Sequence, residues 1–266
     1  MSVAARRLGL ALGAAGLVLV GLVVGSLLAP GGGGTSAGGA AARGITAAEH
    51  GSGLGSAGAD AVIAPALPPG TSLVADVRGG APLAVFRRPG DARPARRVAV
   101  GFGSRVLLVR ARRGGWLRVL LPVRPNGSAG WIRAVRVVLR TNPYRVDVAL
   151  RAHRLVVRRA GRVVLRTPIG VGRAVTPTPR GLAFVTELLR QPDPYGLYGP
   201  WAFGLSLYSP VLSSFGGGPG QAGIHGTNDP VGIGRDVSHG CIRLPNAAIE
   251  RLARTLPLGT PVRIRS

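Results

Sequence analysis

The sequence predicts a mainly β protein made of two consecutive β modules, with one or two helices confined to the second. Three observations carry that prediction. From Ser72 to about Arg140 the apolar runs are short and broken by Gly, Pro and Asn, which is the rhythm of strands and tight turns. From Pro143 onward Val146, Val148 and Leu150 alternate with polar residues, a period of two. Only near the C-terminus do apolar residues recur at helical spacing, at Ala248, Ile249, Leu252, Ala253 and Leu256.

The chain has 266 residues and begins with a segment that cannot join a β core. Residues 1–7 include Arg6 and Arg7 and read as a short cytoplasmic tail. Leu8 to Ala29 is an uncharged apolar run of 22 residues, against the ~20 that span a bilayer as a helix. It reads as a membrane anchor, with a cleaved signal sequence as the alternative. Either reading puts the remainder outside the cytoplasm. No cysteine follows the run to carry a lipid. Residues 30–70 are Gly, Ala, Ser and Pro with scattered charge, the composition of a flexible tether. His50 lies in it as a bystander.

The first β module is expected over residues 71–140. Its candidate strands are Leu83–Phe86, Val106–Arg110, Trp116–Leu120 and Gly130–Ile132, with turns at Arg113-Gly114-Gly115 and Pro125-Asn126-Gly127. The second is expected over residues 143–266. It opens with a meander through Val146, Val148 and Leu150, then Leu155–Val157, then Val163–Leu165, the last two split by Ala160-Gly161. His153 falls in the first turn and reads as exposed and idle. Thr176 to Gly181 is a Pro-punctuated loop, and Gly216 to Gly220 reads as a mobile flap near the site. Asn246 is the expected N-cap of a helix through Leu256, and Val262 and Ile264 make a closing strand.

Basic residues number 34 against 10 acids, for a formal charge of +24, and every basic residue is arginine. Such a charge favours anionic surroundings: nucleic acid, lipid headgroups or an acidic wall polymer. The first module holds fifteen arginines and two acids, Asp76 and Asp91. Nucleic acid is not expected, because the location is extracytoplasmic and no aromatic residues interleave with the basic cluster as stacking platforms.

The chemistry concentrates in Ile224-His225-Gly226-Thr227-Asn228 and Ser238-His239-Gly240-Cys241-Ile242-Arg243. Cys241 is the single cysteine. It has no internal disulfide partner, and a lone thiol in an exported protein is a candidate nucleophile. A thiol needs a base or a positive neighbour to act near neutral pH, and His225, sixteen positions earlier, is the natural base. Gly232 and Gly234 let the chain turn back between them. No acid lies within two residues of either histidine. The group that orients the His225 ring is therefore the Gly226 carbonyl, with Asp229 and Asp236 as alternatives. Gly240 permits a tight turn, after which the amides of His239, Gly240 and Cys241 face a developing oxyanion. Arg243 projects to the same face as Cys241 and is suited to gripping a carboxylate. Ser238 reads as a turn-shaping residue and His239 as one that orients the loop.

Two resemblances follow. Val85-Phe86-Arg87-Arg88-Pro89, Gly114-Gly115-Trp116-Leu117-Arg118-Val119 and Gly130-Trp131-Ile132 resemble a bacterial SH3-like β-barrel. This implies a wall-binding or positioning module, with Trp116 and Trp131 as core. The run "IHGTNDPVGIGRDVSHGCIRL", preceded by "TPIGVG" and "TPTPRG", resembles the YkuD-type L,D-transpeptidase catalytic domain. That resemblance implies a β-sandwich-like domain in which Cys241 is the nucleophile and His225 the general base and acid. It also implies that the Ser238–Cys241 element supplies oxyanion-hole amides. The implied reaction joins peptidoglycan stem peptides 3→3 through a cysteine thioester and needs no metal or cofactor. The alternatives are a cell-wall cysteine peptidase or carboxypeptidase that hydrolyses stems, or a non-catalytic wall-binding protein. The order His before Cys argues against an NlpC-type peptidase. A sortase would place far more residues between the two and carry a "TLxTC" element that this chain lacks.

Overall fold

The computed structural model describes residues 67–99 and 105–266. The tail at 1–7, the apolar run at 8–29, His50 and nearly all of the tether lie outside them. Among the described residues no helix is long and apolar enough to cross a membrane. The last four tether residues are already part of the fold. A turn closes with the Thr71 amide on the Pro68 carbonyl, and Gly70 packs so tightly on the Ala160-Gly161 turn that a Cβ would meet the Gly161 nitrogen at 2.5 Å.

The first module has seven strands: β1 (Ser72–Val77), β2 (Leu83–Val85), β3 (Arg96–Val98), β4 (Val106–Arg113), β5 (Trp116–Leu120), β6 (Ala129–Arg133) and β7 (Val137–Asn142). Five form an antiparallel sheet in the order β6-β5-β4-β1-β7, and β2 and β3 form a separate ribbon. The ribbon joins the sheet through a bridge between Phe86 and Trp131. All four expected strands are present. The inner strand β1, with β3 and β7, was not foreseen. Trp116 and Trp131 are only half-buried, so they flank the core rather than fill it. Leu107, Leu117, Val119 and Ile132 fill it instead. Phe86 meets Trp116 edge-on at 5.0 Å, and the Arg133 guanidinium lies 5.0 Å over the Trp116 ring.

The second module contains β8 (Tyr144–Ala149), β9 (Arg154–Arg159), β10 (Arg162–Pro168), β11 (Val171–Gly172), β12 (Gly181–Arg190), β13 (Trp201–Tyr208), β14 (Gln221–His225), β15 (Asp236–Ser238), β16 (Ile242–Arg243), helix α1 (Asn246–Thr255) and β17 (Pro261–Arg265). Eight strands form one mixed sheet, β10-β9-β8-β17-β12-β13-β14-β16. The expected meander is β8-β9-β10. The C-terminal strand does more than close the sheet: β17 lies between β8, to which it is parallel, and β12. The chain's end thus links the meander to the half of the sheet that carries the site.

Helix α1 presses Ile249 and Leu252 into the core with Phe203, Leu205 and Ile224. Its cap differs from expectation. Pro245 occupies the N-cap position and Asn246 is already helical. The Asn246 side chain instead accepts the Thr227 amide at 2.8 Å, which ties the helix start to the segment just after His225.

Side chains cross between the two modules. Only Pro143 separates β7 from β8, and Phe184 of β12 is fully buried among Leu107, Leu117 and Ile132 of the first module. Opposite it, Gly259 leaves room for Val74 and Val106; a Cβ there would sit 2.6 Å from each.

Candidate active site

Strand register divides the β12-β13-β14-β16 end of the sheet into two faces. Leu188, Phe203, Ile224 and Ile242 are paired in succession across the four strands and form the core-facing row. Alternation sends their neighbours to the other face. One row there is Leu189, Ala202, His225 and Arg243. The next is Glu187, Gly204 and Gly223, extended by Cys241, whose Sγ is 4.0 Å from where a Gly223 Cβ would stand. His225 and Cys241 therefore occupy diagonal positions on adjacent strands of one face. Cys241, a partly buried residue, lines a narrow pocket with Leu212, Phe215, Gly220, His239 and Gly240.

The loop carrying Cys241 is held by Ser238. The buried Ser238 Oγ donates to the Cys241 carbonyl at 2.6 Å and accepts the Gly240 amide at 3.1 Å. Gly240 has φ +117°, a conformation that side chains other than hydrogen rarely tolerate. From the other side the Ser238 carbonyl accepts both the Arg173 amide and the Thr176 hydroxyl, each at 3.1 Å. One expectation changes here. The Gly240 amide is spent on Ser238 and is not free for an oxyanion, whereas the His239 and Cys241 amides have no acceptor among the described residues.

His225 is almost wholly buried. Its Nδ1 lies 2.5 Å from the Gly226 carbonyl oxygen. A carbonyl only accepts, so Nδ1 carries the hydrogen and the neutral ring keeps its lone pair on Nε2. Tyr198 packs edge-on to the ring at 4.8 Å. Burial lowers the imidazole pKa to about 4; the Gly226 hydrogen bond opposes this and the Arg243 charge adds to it. Asp229 and Asp236 are occupied elsewhere: Asp229 lies 3.4 Å from Arg243, and Asp236 2.8 Å from His153. The orienting group is the carbonyl.

Burial raises the Cys241 thiol pKa, against the smaller opposing effects of the Gly223 amide and Arg243. At neutral pH the resting pair is thus thiol and neutral imidazole, not thiolate and imidazolium. The Arg243 side chain is only 12% exposed. Its guanidinium reaches Asp229, while Nε is buried without a partner. Its charge favours an anionic sulfur and disfavours a cationic ring.

His239 is exposed at the rim of the same pocket. Its Nε2 accepts from Arg173 Nη2 at 2.7 Å, and its ring stacks on Phe215 at 5.1 Å. His153 is not idle: its ring bonds Asp236 at the start of β15, pinning the strand that leads into the Cys241 loop. The segment Gly216 to Gly220 does lie at the site, following Phe215. Arg124 of the first module holds its flanks, donating to the carbonyls of Ser209, Leu212 and Pro219 at 2.7, 2.9 and 3.1 Å. Sequence reasoning did not single out Tyr198, Gly223, Arg173 or Glu187. None sits in a local motif; the tertiary fold, strands and connecting turns together, brings them near the site.

A β face carrying a buried neutral histidine diagonal to a lone thiol defines a cysteine site built on a mixed sheet. The sequence model of the YkuD L,D-transpeptidase catalytic domain matches residues 143–264. The YkuD protein of Bacillus licheniformis is 36% identical over 154 residues, covering 55% of this chain and 85% of that one. Its Bacillus subtilis counterpart is 36% identical over 151 residues, covering 54% and 84%. Among solved structures, Bdellovibrio bacteriovorus Bd1075 is 30% identical with a TM-score of 0.38, and the match spans 47% of this chain and 48% of that one. The L,D-transpeptidase from Mycobacterium smegmatis is 15% identical with a TM-score of 0.39, over 72% and 99%. The chain belongs to the YkuD-type L,D-transpeptidase family.

Proposed function

We propose that the protein is a peptidoglycan L,D-transpeptidase that forms 3→3 crosslinks between stem peptides through a Cys241 thioester. The observation that carries this reading is the shared face of His225 and Cys241, with the His225 Nε2 lone pair free to accept a proton. The donor is a stem tetrapeptide whose third-residue carbonyl lies over the sulfur. As the sulfur attacks, its proton passes to His225 Nε2, so the charged pair forms during the step rather than before it. The carbonyl oxygen becomes an anion next to the unpaired amides of Cys241 and His239. Collapse breaks the peptide bond, and the departing D-alanine amine takes the proton from His225. An acceptor amine then gives its proton to His225, attacks the thioester and releases the thiol. Water in place of the amine makes the same acyl-enzyme a carboxypeptidase intermediate.

The first module, in this reading, is an SH3-like positioning unit whose arginines favour anionic wall polymers. Residues 8–29 anchor the chain in the cell membrane, or direct its export if cleaved, leaving the catalytic module outside. Intact mass after incubation with meropenem tests the nucleophile: the wild type gains one adduct and Cys241→Ala gains none. An adduct on the alanine variant overturns the assignment. Purified tetrapeptide stems then separate transfer from hydrolysis by mass, dimer against tripeptide.

A further inference from the structure

Glu187 is one of ten acids in a chain with 34 arginines, yet it makes no ion pair and accepts no hydrogen bond among the described residues. Glu250, on helix α1, is the other described acid without either. Glu187 differs from it by position. It stands in the row that ends at Cys241, and the two residues between them, Gly204 and Gly223, have no side chains. They leave a bare strip of backbone across β13 and β14, with a carboxylate at one end and a thiol at the other.

The contacts define how the strip is closed. A Cβ on Gly204 would fall against the Glu187 side chain, within 2.8 Å of Cγ, and within 2.9 Å of Gln221 Nε2. Glu187 thus leans over Gly204 toward the sulfur. Gln221 lies beside it and also lines the Cys241 pocket. Both Gln221 amide hydrogens are committed, to Thr186 Oγ1 and the Leu205 carbonyl, so nothing on the strip satisfies the carboxylate. Paired strand residues sit ~5 Å apart. Adding the 4.0 Å from Gly223 to Sγ puts the carboxylate on the order of 9 Å from the nucleophile. A four-carbon ammonium stem such as lysine's has comparable reach. A half-buried carboxylate without a partner is costly until a cation meets it, and burial already pushes Glu187 toward its protonated form.

We infer that Glu187 is a specificity-determining residue that binds a side-chain ammonium on the stem-peptide residue whose carbonyl Cys241 acylates. The inference rests on the function proposed above and names the side-chain class that the glycine strip admits. In a chain of +24 the surrounding field repels a cationic substrate, and Glu187 supplies the local anion that reverses this at one point. Binding desolvates the pair, and the carboxylate becomes fully ionised against the ammonium.

The test uses two synthetic donor tetrapeptides that differ only at the third residue, one with a free side-chain amine and one with that amine acetylated. A common small amine serves as acceptor, and D-alanine release gives kcat/KM. A charge-assisted bond predicts that the wild type prefers the free amine by about tenfold or more. Glu187→Gln lowers that ratio to within about twofold, and Glu187→Asp retains part of it. Thermal unfolding of each variant checks the fold. A wild type that uses both donors equally, or a Glu187→Gln variant that keeps the preference, overturns the inference. If the wild type takes neither donor and gains no meropenem adduct, the reading of the site itself fails. An adduct with equal use of both donors removes the role of Glu187 alone.

Discussion

His225 sets the pH behaviour of the site through what surrounds it. Its folded pKa of about 4 lies below the ordinary imidazole value of about 6.5, so the unfolded chain binds a proton that the folded one refuses. Stability from this residue is fully present above pH 6.5 and is lost as pH falls toward 4, by up to about 3 kcal/mol at this separation. Urea unfolding of the wild type and His225→Gln across this window should show the steeper loss in the wild type; parallel curves would contradict the buried neutral ring. The candidate site residues were legible because Ser238-His239-Gly240-Cys241 and Ile224-His225-Gly226 are local strings. The role of Gly240 was misread because its amide's partner, a serine hydroxyl two residues back, is a matter of loop geometry.

At the scale of elements, the link between β15 and β16 decides where the sulfur points. Ser238 bonds forward to both Gly240 and Cys241 and is itself fixed from behind by Arg173 and Thr176. Ser238→Ala frees the Gly240 amide and loosens the Cys241 carbonyl. The expected cost is about 1–3 kcal/mol in stability, together with a meropenem acylation rate reduced by about tenfold or more, as for a displaced oxyanion donor. Stopped-flow acylation alongside thermal unfolding reads both, and an unchanged rate would reduce Ser238 to a passive turn residue. Strands were legible where one face meets water: β5 was expected over Trp116–Leu120 and observed there. β12 was missed for the opposite reason. Ala183, Phe184 and Val185 are all fully buried, the outer two in the catalytic core and Phe184 in that of the first module. A strand covered on both faces shows no polar alternation.

For the molecule as a whole, the burial of Phe184 in the first module's core predicts that the two modules unfold as one cooperative body rather than as beads on a string. Phe184 is the knob that joins them, and its truncation leaves a cavity in the first module's core. Phe184→Ala should cost about 3–5 kcal/mol while the residual protein still unfolds in a single transition. Calorimetry that resolves two separate transitions in the wild type would disprove this coupling. The sequence suggests a boundary between residues 140 and 143 but could not reveal that side chains cross between the modules, because such contacts join positions far apart in the chain.

The three carbonyls gathered by Arg124 have a practical consequence for anyone trimming this protein. A fragment starting at residue 143 would keep the sulfur, the imidazole and the glycine strip, yet it would lose the guanidinium that cinches the segment around Phe215. Such a fragment would be a workbench with its vice removed: every tool present, and nothing to hold the workpiece still.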